Sequence, residues 1–157
     1  MPAQKLNDAI KLLTQDHKEV DALFKRYDKL SQGDGAAAQK AELARQICTM
    51  LTVHATIEEE IFYPAARAAL KEQDLLDEAE VEHASAKDLI GQIENASPDS
   101  ELYDAKVKVL GEYIRHHVKE EQDEMFPKVR RTQLDLVLVG EAMASRKQEL
   151  LGTTVPA

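Results

Sequence analysis

The chain has 157 residues, of which 43% are apolar and 31% are charged, a composition typical of one globular domain. Aromatic residues are only 4% of the chain, and six glycines and five prolines are too few for the many turns of an all-β domain, so the composition favours long helices. The net charge of −9 argues against DNA, RNA or an anionic membrane surface as the main partner, because those partners require a basic face.

Three sequence features bear on the location of the protein. Cys48 is the single cysteine and cannot form an internal disulfide, which favours a reducing compartment. The N-terminal residues lack the apolar stretch of a signal peptide, and no run approaches the roughly 18 consecutive apolar residues of a membrane-spanning helix. We therefore expect a cytoplasmic protein without a membrane partner.

Apolar residues recur at alternating intervals of three and four positions in four successive segments, the pattern of helices that pack in a bundle. The first segment runs from Leu6 to Tyr27 and is followed by turn residues at positions 31–35. The second runs from Leu43 to Ile61 and reaches Pro64, where we expect the helix to kink or end.

The third and fourth segments form a second pair of helices. The third segment runs from Leu76 to Ile93. Ser97 is then expected to cap the next helix, with Pro98 at its first position. The fourth segment continues from Tyr103 to Ile114, and its helix is expected to kink or end near Pro127.

A shorter fifth helix with less regular apolar spacing is predicted for residues 133–151, with Gly152 as its stop. No linker or low-complexity segment divides the chain, so we predict one domain over residues 1–157. The expected fold is all-α, with an antiparallel up-down four-helix bundle over about residues 4–130 and an additional C-terminal helix.

Each of the four long segments carries a histidine on the line that should face the core of the bundle. Two of these histidines are followed four residues later by a glutamate, which places an imidazole and a carboxylate one helical turn apart on the same face. The six residues are His17, His54, Glu58, His83, His117 and Glu121.

The pattern occurs twice along the chain. The two segments read His54-ATI-Glu58-EEIFY-Pro64 and His117-VKE-Glu121-QDEMF-Pro127. Each follows a helix in which an acidic residue directly precedes the histidine, as Asp16-His17 and Glu82-His83. The repeat predicts two helical hairpins, packed with approximate two-fold symmetry, that bring four imidazoles and two carboxylates together.

Two ionised carboxylates inside an apolar bundle are costly unless a cation lies beside them. A metal ion supplies that charge, and deprotonated histidine and glutamate are its natural ligands. Imidazole and carboxylate donors without a thiolate suit iron, manganese or zinc. Two-fold symmetry with two carboxylates suits a pair of metal ions at roughly 3.5–4 Å.

This arrangement resembles the hemerythrin family, specifically the hemerythrin-like HHE cation-binding domains. The resemblance is carried by Asp16-His17, by His54-x3-Glu58 with its EEIFYP continuation, by His83, and by His117-x3-Glu121 ending in EMFP. It covers the chain from Leu6 to about Arg130.

The resemblance implies a four-helix bundle that holds two non-haem iron ions with an oxo- or hydroxo-bridge; manganese and zinc are less favoured. Carried over residue by residue, it implies that His17 and His54 hold one iron and that His83 and His117 hold the other. Glu58 and Glu121 would bridge the two ions.

Lys87 departs from the family pattern. Oxygen-carrying hemerythrins have a further histidine ligand four residues after the third-helix histidine, and Lys87 stands at that position. Because an ammonium group is not a metal ligand, we expect the second iron to have an extra site for water, hydroxide, peroxide or a nearby tyrosine. Reaction with peroxide or nitric oxide is therefore favoured over simple reversible carriage of dioxygen.

Our leading hypothesis is a di-iron protein that binds or reacts with a small oxygen-containing ligand, such as dioxygen, peroxide or nitric oxide, in oxygen, iron or redox handling. Two alternatives stay open: an oxidoreductase that decomposes peroxide, and a helical sensor or interaction module stabilised by its metal. The sequence does not decide whether the protein is an enzyme, and it identifies no protein partner.

Several further polar residues lie near the six candidate ligands in the sequence. Asp21, four residues after His17, is expected to be solvated or to hydrogen-bond to a ligand, with a role as a further ligand as the alternative. His116 is expected to contact the ligands from outside or to lie on the surface. Tyr113, one turn before His117, is expected to pack in the core, with contact to a bound oxygen species or to the second iron as the alternative. Solvent-facing or supporting roles are expected for Glu59, Glu60, Glu120 and Glu124.

Overall fold

The computed structural model describes residues 8–33 and 37–154, and within these ranges it contains five helices and no strand. Helix α1 is Ala9–Ser31, α3 is Asp74–Glu94 and α5 is Leu136–Thr154. Helices α2 and α4 each consist of three consecutive segments. Those of α2 are Ala37–Ile57, Glu58–Phe62 and Tyr63–Ala69, and those of α4 are Tyr103–Glu120, Glu121–Met125 and Phe126–Arg130.

Two apolar clusters define how the helices run. Helix α1 passes from a first cluster containing Leu13 to a second containing Phe24, and α2 returns from Ile47 in the second cluster to Phe62 in the first. Helices α3 and α4 repeat these two passes. The prediction of an antiparallel four-helix bundle is confirmed, and so is the additional C-terminal helix, which adds Met143 to the first cluster.

The level between the two clusters is polar. At this level each long helix passes from one apolar cluster to the other. Each helix contributes one histidine to this level, from the side that faces the core. We call the following six residues the polar layer: His17, His54, Glu58, His83, His117 and Glu121.

Helix α1 begins with a side-chain cap. The carboxylate of Asp8 accepts hydrogen bonds from the backbone N–H groups of Ile10, at 2.8 Å, and Lys11, at 3.3 Å. Such a cap stabilises a helix by about 1 kcal/mol. Helix α1 ends at Ser31 as predicted, whereas Leu6 lies outside the described residues.

The predicted start of α4 at Pro98 is wrong, because the helix begins at Tyr103. The Oγ of Ser97 accepts from the N–H of Asp99 at 3.3 Å, and its carbonyl accepts from the N–H of Ser100 at 2.9 Å. These bonds close a tight turn around Pro98. The hydroxyl and carbonyl of Ser97 are therefore occupied within this turn and do not begin the helix.

The predicted bounds of the C-terminal helix are also corrected. It begins at Leu136, after Asp135, whose carboxylate accepts from the N–H of Leu138 at 3.1 Å. Gly152 does not stop it, because the helix continues to Thr154 and an exposed glycine only weakens a helix. Residues 155–157 lie outside the described part of the chain.

Helices α2 and α4 each contain a π-helical turn before a proline. The N–H of Tyr63 bonds to the carbonyl of Glu58, and the N–H of Phe126 bonds to that of Glu121, each five residues back. A proline lacks an N–H and its ring crowds the carbonyl four residues earlier, which the wide turn accommodates. The helices therefore continue past their prolines instead of ending there. The two prolines are Pro64 and Pro127.

Among the residues that the structure describes, no helix combines the length and the hydrophobicity needed to cross a lipid bilayer.

Candidate metal centre

The structure brings all six residues of the polar layer together. The carboxylates are the most buried, with Glu58 0% and Glu121 1% exposed. Three of the histidines are buried and His54 is half-buried. The six donors form two overlapping groups whose ligand atoms lie within 4.8 Å of one another. One group is His17, His54, Glu58 and Glu121, and the other is Glu58, His83 and His117.

Each carboxylate lies between a histidine of one pair and a histidine of the other. The Oε2 atom of Glu58 is 3.3 Å from Nε2 of His54, and its Oε1 atom is 3.1 Å from Nε2 of His83. The two oxygens of this carboxylate therefore face different halves of the polar layer.

Glu121 repeats this arrangement. Its Oε1 atom is 3.3 Å from Nε2 of His17, and its Oε2 atom is 3.2 Å from Nε2 of His117. The histidine pairs expected from the sequence, His17 with His54 and His83 with His117, are thus linked twice by carboxylates. Such a geometry suits carboxylates that span two cations.

Five buried polar atoms of the layer make no hydrogen bond, because their contacts within the layer, at 3.1–3.3 Å, lack hydrogen-bond geometry. They are Nε2 of His17, Nε2 of His54, both carboxylate oxygens of Glu58 and Oε1 of Glu121. An unpartnered buried polar atom is costly, and native proteins satisfy nearly all of them. All five atoms carry lone pairs once the histidines are neutral, so this donor set fits metal ions.

The outward-facing nitrogens of two histidines are held by acidic residues. The Nδ1 of His54 donates to Asp16 at 3.0 Å, and the Nδ1 of His117 donates to Glu82 at 2.6 Å. In each hairpin, the acidic residue directly before the first histidine therefore holds the second histidine.

The other two histidines are held by the residues that follow the glutamates. The Nδ1 of His83 donates to Glu59 at 2.7 Å, and the Nδ1 of His17 donates to Gln122 at 2.8 Å. All four histidines thus present Nε2 to the centre. Partners of this kind fix the ring orientation and raise the basicity of a metal-binding imidazole. The halves differ here, because Glu59 is a carboxylate and Gln122 a neutral amide.

The charges of the layer act strongly on one another. Burial alone would lower the pKa of His54 and of His117, but the carboxylates of Glu58 and Glu121 outweigh it and raise each pKa to about 10. Burial would likewise raise the pKa of Glu121, but the neighbouring imidazoles hold it well below its ordinary value. Without a metal ion, protonated imidazoles therefore balance the buried carboxylates.

Tyr63 also reaches the polar layer, which the sequence reasoning missed. Its hydroxyl donates to Oε2 of Glu121 and lies 3.2 Å from Nε2 of His83 and 3.3 Å from Nε2 of His117. Burial and the Glu121 carboxylate raise the pKa of Tyr63 well above its ordinary value, so the phenol keeps its proton.

A difference between the two copies of the sequence repeat could have identified Tyr63, which directly precedes Pro64 in the first copy. In the second copy, the residue before the proline is Phe126, whose ring stacks parallel to that of His17 with centroids 6.2 Å apart. The two copies therefore place a hydroxyl group beside one histidine pair and an apolar ring beside the other.

Lys87 and Tyr113 are both exposed. The side chain of Lys87 is 54% exposed, and its ammonium pairs with Glu59 at 2.6 Å. Tyr113 is 40% exposed, so the prediction that it packs in the core is wrong. Tyr113 lies one turn before the buried His117, but it lines a cavity that opens to solvent, which leaves its ring accessible.

Asp21 and His116 lie on the surface. Asp21 pairs with Lys25 and with Arg115, each at 3.1 Å. His116 is 65% exposed and contacts Glu120 at 2.6 Å. With the outer oxygen of Glu82, 3.8 Å away, these two residues form a third group of donor atoms outside the bundle.

A cavity of about 120 Å³ adjoins the polar layer on the side of the second apolar cluster. This volume can hold a molecule several times the size of water. Exposed Lys87 and Tyr113 also line the cavity, so it opens to solvent beside them. Its apolar lining includes Val20, Met50, Leu51, Ala86, Ile90 and Ile114.

Comparisons with known proteins agree with this geometry. Residues 8–129 match the family model of the hemerythrin HHE cation-binding domain. A crystal structure of an HHE cation-binding domain-containing protein, the Rv2633c homolog from Mycobacterium kansasii, superposes with a TM-score of 0.76 and 24% identity. The match covers 93% of this chain and 88% of that chain, and it supports the fold.

A curated relative is a DNA nickase from Nostoc sp. (strain PCC 7120), which is 31% identical over 119 residues. The match covers 76% of this chain and 32% of the relative, so the chain spans about a third of the relative's length.

Proposed function

This chain belongs to the hemerythrin HHE cation-binding domain family, and on that premise we propose that its polar layer holds two iron ions. The observation that carries the proposal is the group of five buried donor atoms without a hydrogen bond on His17, His54, Glu58 and Glu121. These atoms converge between the four helices, where only cations would satisfy the carboxylates without protonating the imidazoles.

We assign His17 and His54 to one ion and His83 and His117 to the other. Glu58 and Glu121 would each contribute one oxygen to either ion, because their two oxygens face different histidine pairs. The hydroxyl of Tyr63 lies beside the second pair, so it is our candidate for the extra position left by the family histidine that Lys87 replaces.

We propose that the protein binds or reacts with dioxygen, peroxide or nitric oxide in oxygen, iron or redox handling. When bound, the iron pair would supply one- and two-electron redox chemistry toward such a ligand. The apolar cavity admits a small molecule and limits the number of waters around it. The outer partners Asp16, Glu59 and Glu82 hold the imidazoles in place.

A second candidate function is the decomposition of peroxide, and Tyr63 favours it. Its hydroxyl holds a proton between Glu121 and the imidazoles of His83 and His117, within reach of a group bound at the second pair. A buried proton donor at that position suits a reaction in which oxygen atoms leave as water. Peroxide loss by iron-loaded and metal-free protein tests this candidate, and equal, negligible rates would remove it.

The Nostoc protein is named for a nicking activity, and we do not propose that activity for this chain. About two thirds of that protein has no counterpart here, and a net charge of −9 disfavours binding to DNA. The absence of a nucleic-acid partner and the cytoplasmic location stay predictions from the sequence.

Replacement of single histidines tests the metal assignment. We expect His54→Ala and His117→Ala each to lose at least one iron per chain, measured by elemental analysis. His116→Ala is a matched control, because His116 is the neighbour of His117 and is also followed four residues later by a glutamate, yet it is exposed. Full loading of both ligand variants would contradict the proposal.

A further inference from the structure

The C-terminal helix makes an ionic contact behind the polar layer. The ammonium of Lys147 on α5 lies 2.5 Å from Oδ1 of Asp16 on α1. The side chain of Asp16 is only 6% exposed and that of Lys147 is 27% exposed, so this pair is far more buried than the surface ion pairs of the chain. Lys147 lies outside residues 8–129, which match the family model.

Asp16 connects this lysine to a candidate ligand. Its second oxygen, Oδ2, accepts the hydrogen bond from Nδ1 of His54 at 3.0 Å. The chain of contacts therefore runs from the ammonium of Lys147 through one carboxylate to the imidazole of His54.

Binding of a metal ion to His54 would change the charge balance at Asp16. A histidine binds a metal ion as neutral imidazole, so His54 then gives Asp16 a hydrogen bond but no positive charge. A nearly inaccessible carboxylate without a cation is unfavourable. Lys147 is the ammonium group that the structure places on Asp16.

The corresponding carboxylates at the other histidines depend less on such a partner. Glu59 pairs with Lys87, but its side chain is 34% exposed. Glu82 is 20% exposed, and its outer oxygen is 3.8 Å from the solvent-facing His116. Water can stabilise both of these carboxylates, whereas it hardly reaches Asp16.

We infer that Lys147 is a positioning residue for the His54 half of the polar layer: it holds the side chain of Asp16 in the orientation that directs Nε2 of His54 toward its metal ion. The inference rests on the proposed metal centre. It assigns the C-terminal helix a role in metal binding in addition to covering the first apolar cluster.

Arg146, the residue before Lys147, offers a control that distinguishes positioning of Asp16 from simple docking of the C-terminal helix. Arg146 also anchors α5, through Glu60 at 2.8 Å, and its other ion-pair partner is Glu149 of the same helix. Arg146→Met therefore removes an ion pair of α5 and leaves the link to His54 intact. Lys147→Met removes that link, and Lys147→Arg keeps its charge.

The experiment is an anaerobic titration of metal-free protein with Fe(II), carried out in a His116→Ala background so that the surface donor group does not contribute. We expect Lys147→Met to weaken binding of one of the two ions by about tenfold or more, the usual effect of removing a group behind a metal ligand. Lys147→Arg should restore most of the affinity, and Arg146→Met should bind as the parent protein does.

A double-mutant cycle provides a second readout. Asp16→Asn keeps an acceptor for His54 but needs no cation, so adding Lys147→Met to it should cause no further loss of Fe(II) affinity. Circular dichroism of the metal-free variants checks that all of them fold.

Three results would overturn the inference. They are parent-like binding by Lys147→Met, an equal loss in Arg146→Met, and full additivity with Asp16→Asn. Failure of the parent protein to bind Fe(II) is distinguishable from these, because it would remove the proposed metal centre itself and the inference with it.

Discussion

The hydroxyl of Tyr63 donates a hydrogen bond to the carboxylate of Glu121 from a position that belongs to phenylalanine in the second copy of the repeat. The two halves of the polar layer are therefore related by approximate symmetry in their histidines and glutamates but not in their proton donors. As a result, one histidine pair has a phenol beside it, although the two hairpins are otherwise similar.

Replacing Tyr63 with phenylalanine should destabilise the metal-free protein. The change leaves a buried oxygen of Glu121 without its hydroxyl donor, which costs about 1–3 kcal/mol. Urea unfolding of metal-free Tyr63→Phe measures this cost. Tyr113→Phe is the matched control and should unfold as the parent does, because Tyr113 is exposed; equal stability of all three proteins would contradict the account.

The metal-free protein should lose stability as the pH rises from about 6.5 toward about 10. Burial opposes the charge on His54 and His117, but the carboxylates raise the pKa of both from 6.5 to about 10 in the folded chain. A raised pKa stabilises the folded state below the unfolded value of 6.5, and this contribution disappears as the pH passes the folded value.

Denaturant unfolding at a series of pH values, after removal of metal with a chelator, measures this dependence. The iron-loaded protein is the control, because its histidines are bound as neutral imidazoles and should not lose stabilising protons over the same range. Metal-free stability that stays constant or increases through this range would contradict the charge arrangement of the polar layer.

Filling the cavity should slow access of small ligands without loss of metal. Ala86 lines the cavity and is not itself a proposed ligand, so Ala86→Leu adds side-chain volume there without removing a donor atom. We expect unchanged iron content and a slower rate of nitric oxide binding, measured by stopped-flow absorption. Ala84→Leu, on the exposed side of the same helix, should bind at the parent rate. Equal rates for both variants would exclude this cavity as the route.

Cys48 should be unreactive in the native protein. It is buried in the second apolar cluster, and burial raises the pKa of its thiol to about 12. Since the thiolate is the reactive form, a thiol reagent should modify Cys48 only after denaturant is added. Labelling followed by mass spectrometry tests this, and rapid labelling of folded protein would show that the cluster opens readily.

The sequence predicts the four histidines and two glutamates well because their positions follow the helical period. In regular α-helix, residues four apart share a face, so the spacing of His54 and Glu58 was sufficient to bring both into the polar layer. The repetition of this spacing at His117 and Glu121 predicted the two-fold arrangement of the hairpins. Their role as metal ligands stays a prediction.

Tyr63 escaped the sequence analysis because of the π-helical turn. At about 3.6 residues per turn, a residue five positions after Glu58 would point away from it. The wide turn between Glu58 and Tyr63 adds a residue and returns Tyr63 to the same face. The helical period alone does not locate such turns, although Pro64 and Pro127 indicated where each helix departs from regular geometry.

The partners of the imidazoles could not be derived from the sequence either. Asp16 adjoins His17 in the chain yet binds His54, and Glu59 adjoins Glu58 yet binds His83. These pairings depend on how neighbouring helices rotate against each other, and the apolar spacing of a single helix leaves that rotation open.

The most direct test of the proposed iron pair is the metal content of the protein purified without added metal, measured by elemental analysis together with protein concentration. We expect about two iron atoms per chain, because the donor atoms of the polar layer form two groups that share the carboxylate of Glu58. One iron or fewer per chain, or zinc in place of iron, would contradict the di-iron assignment.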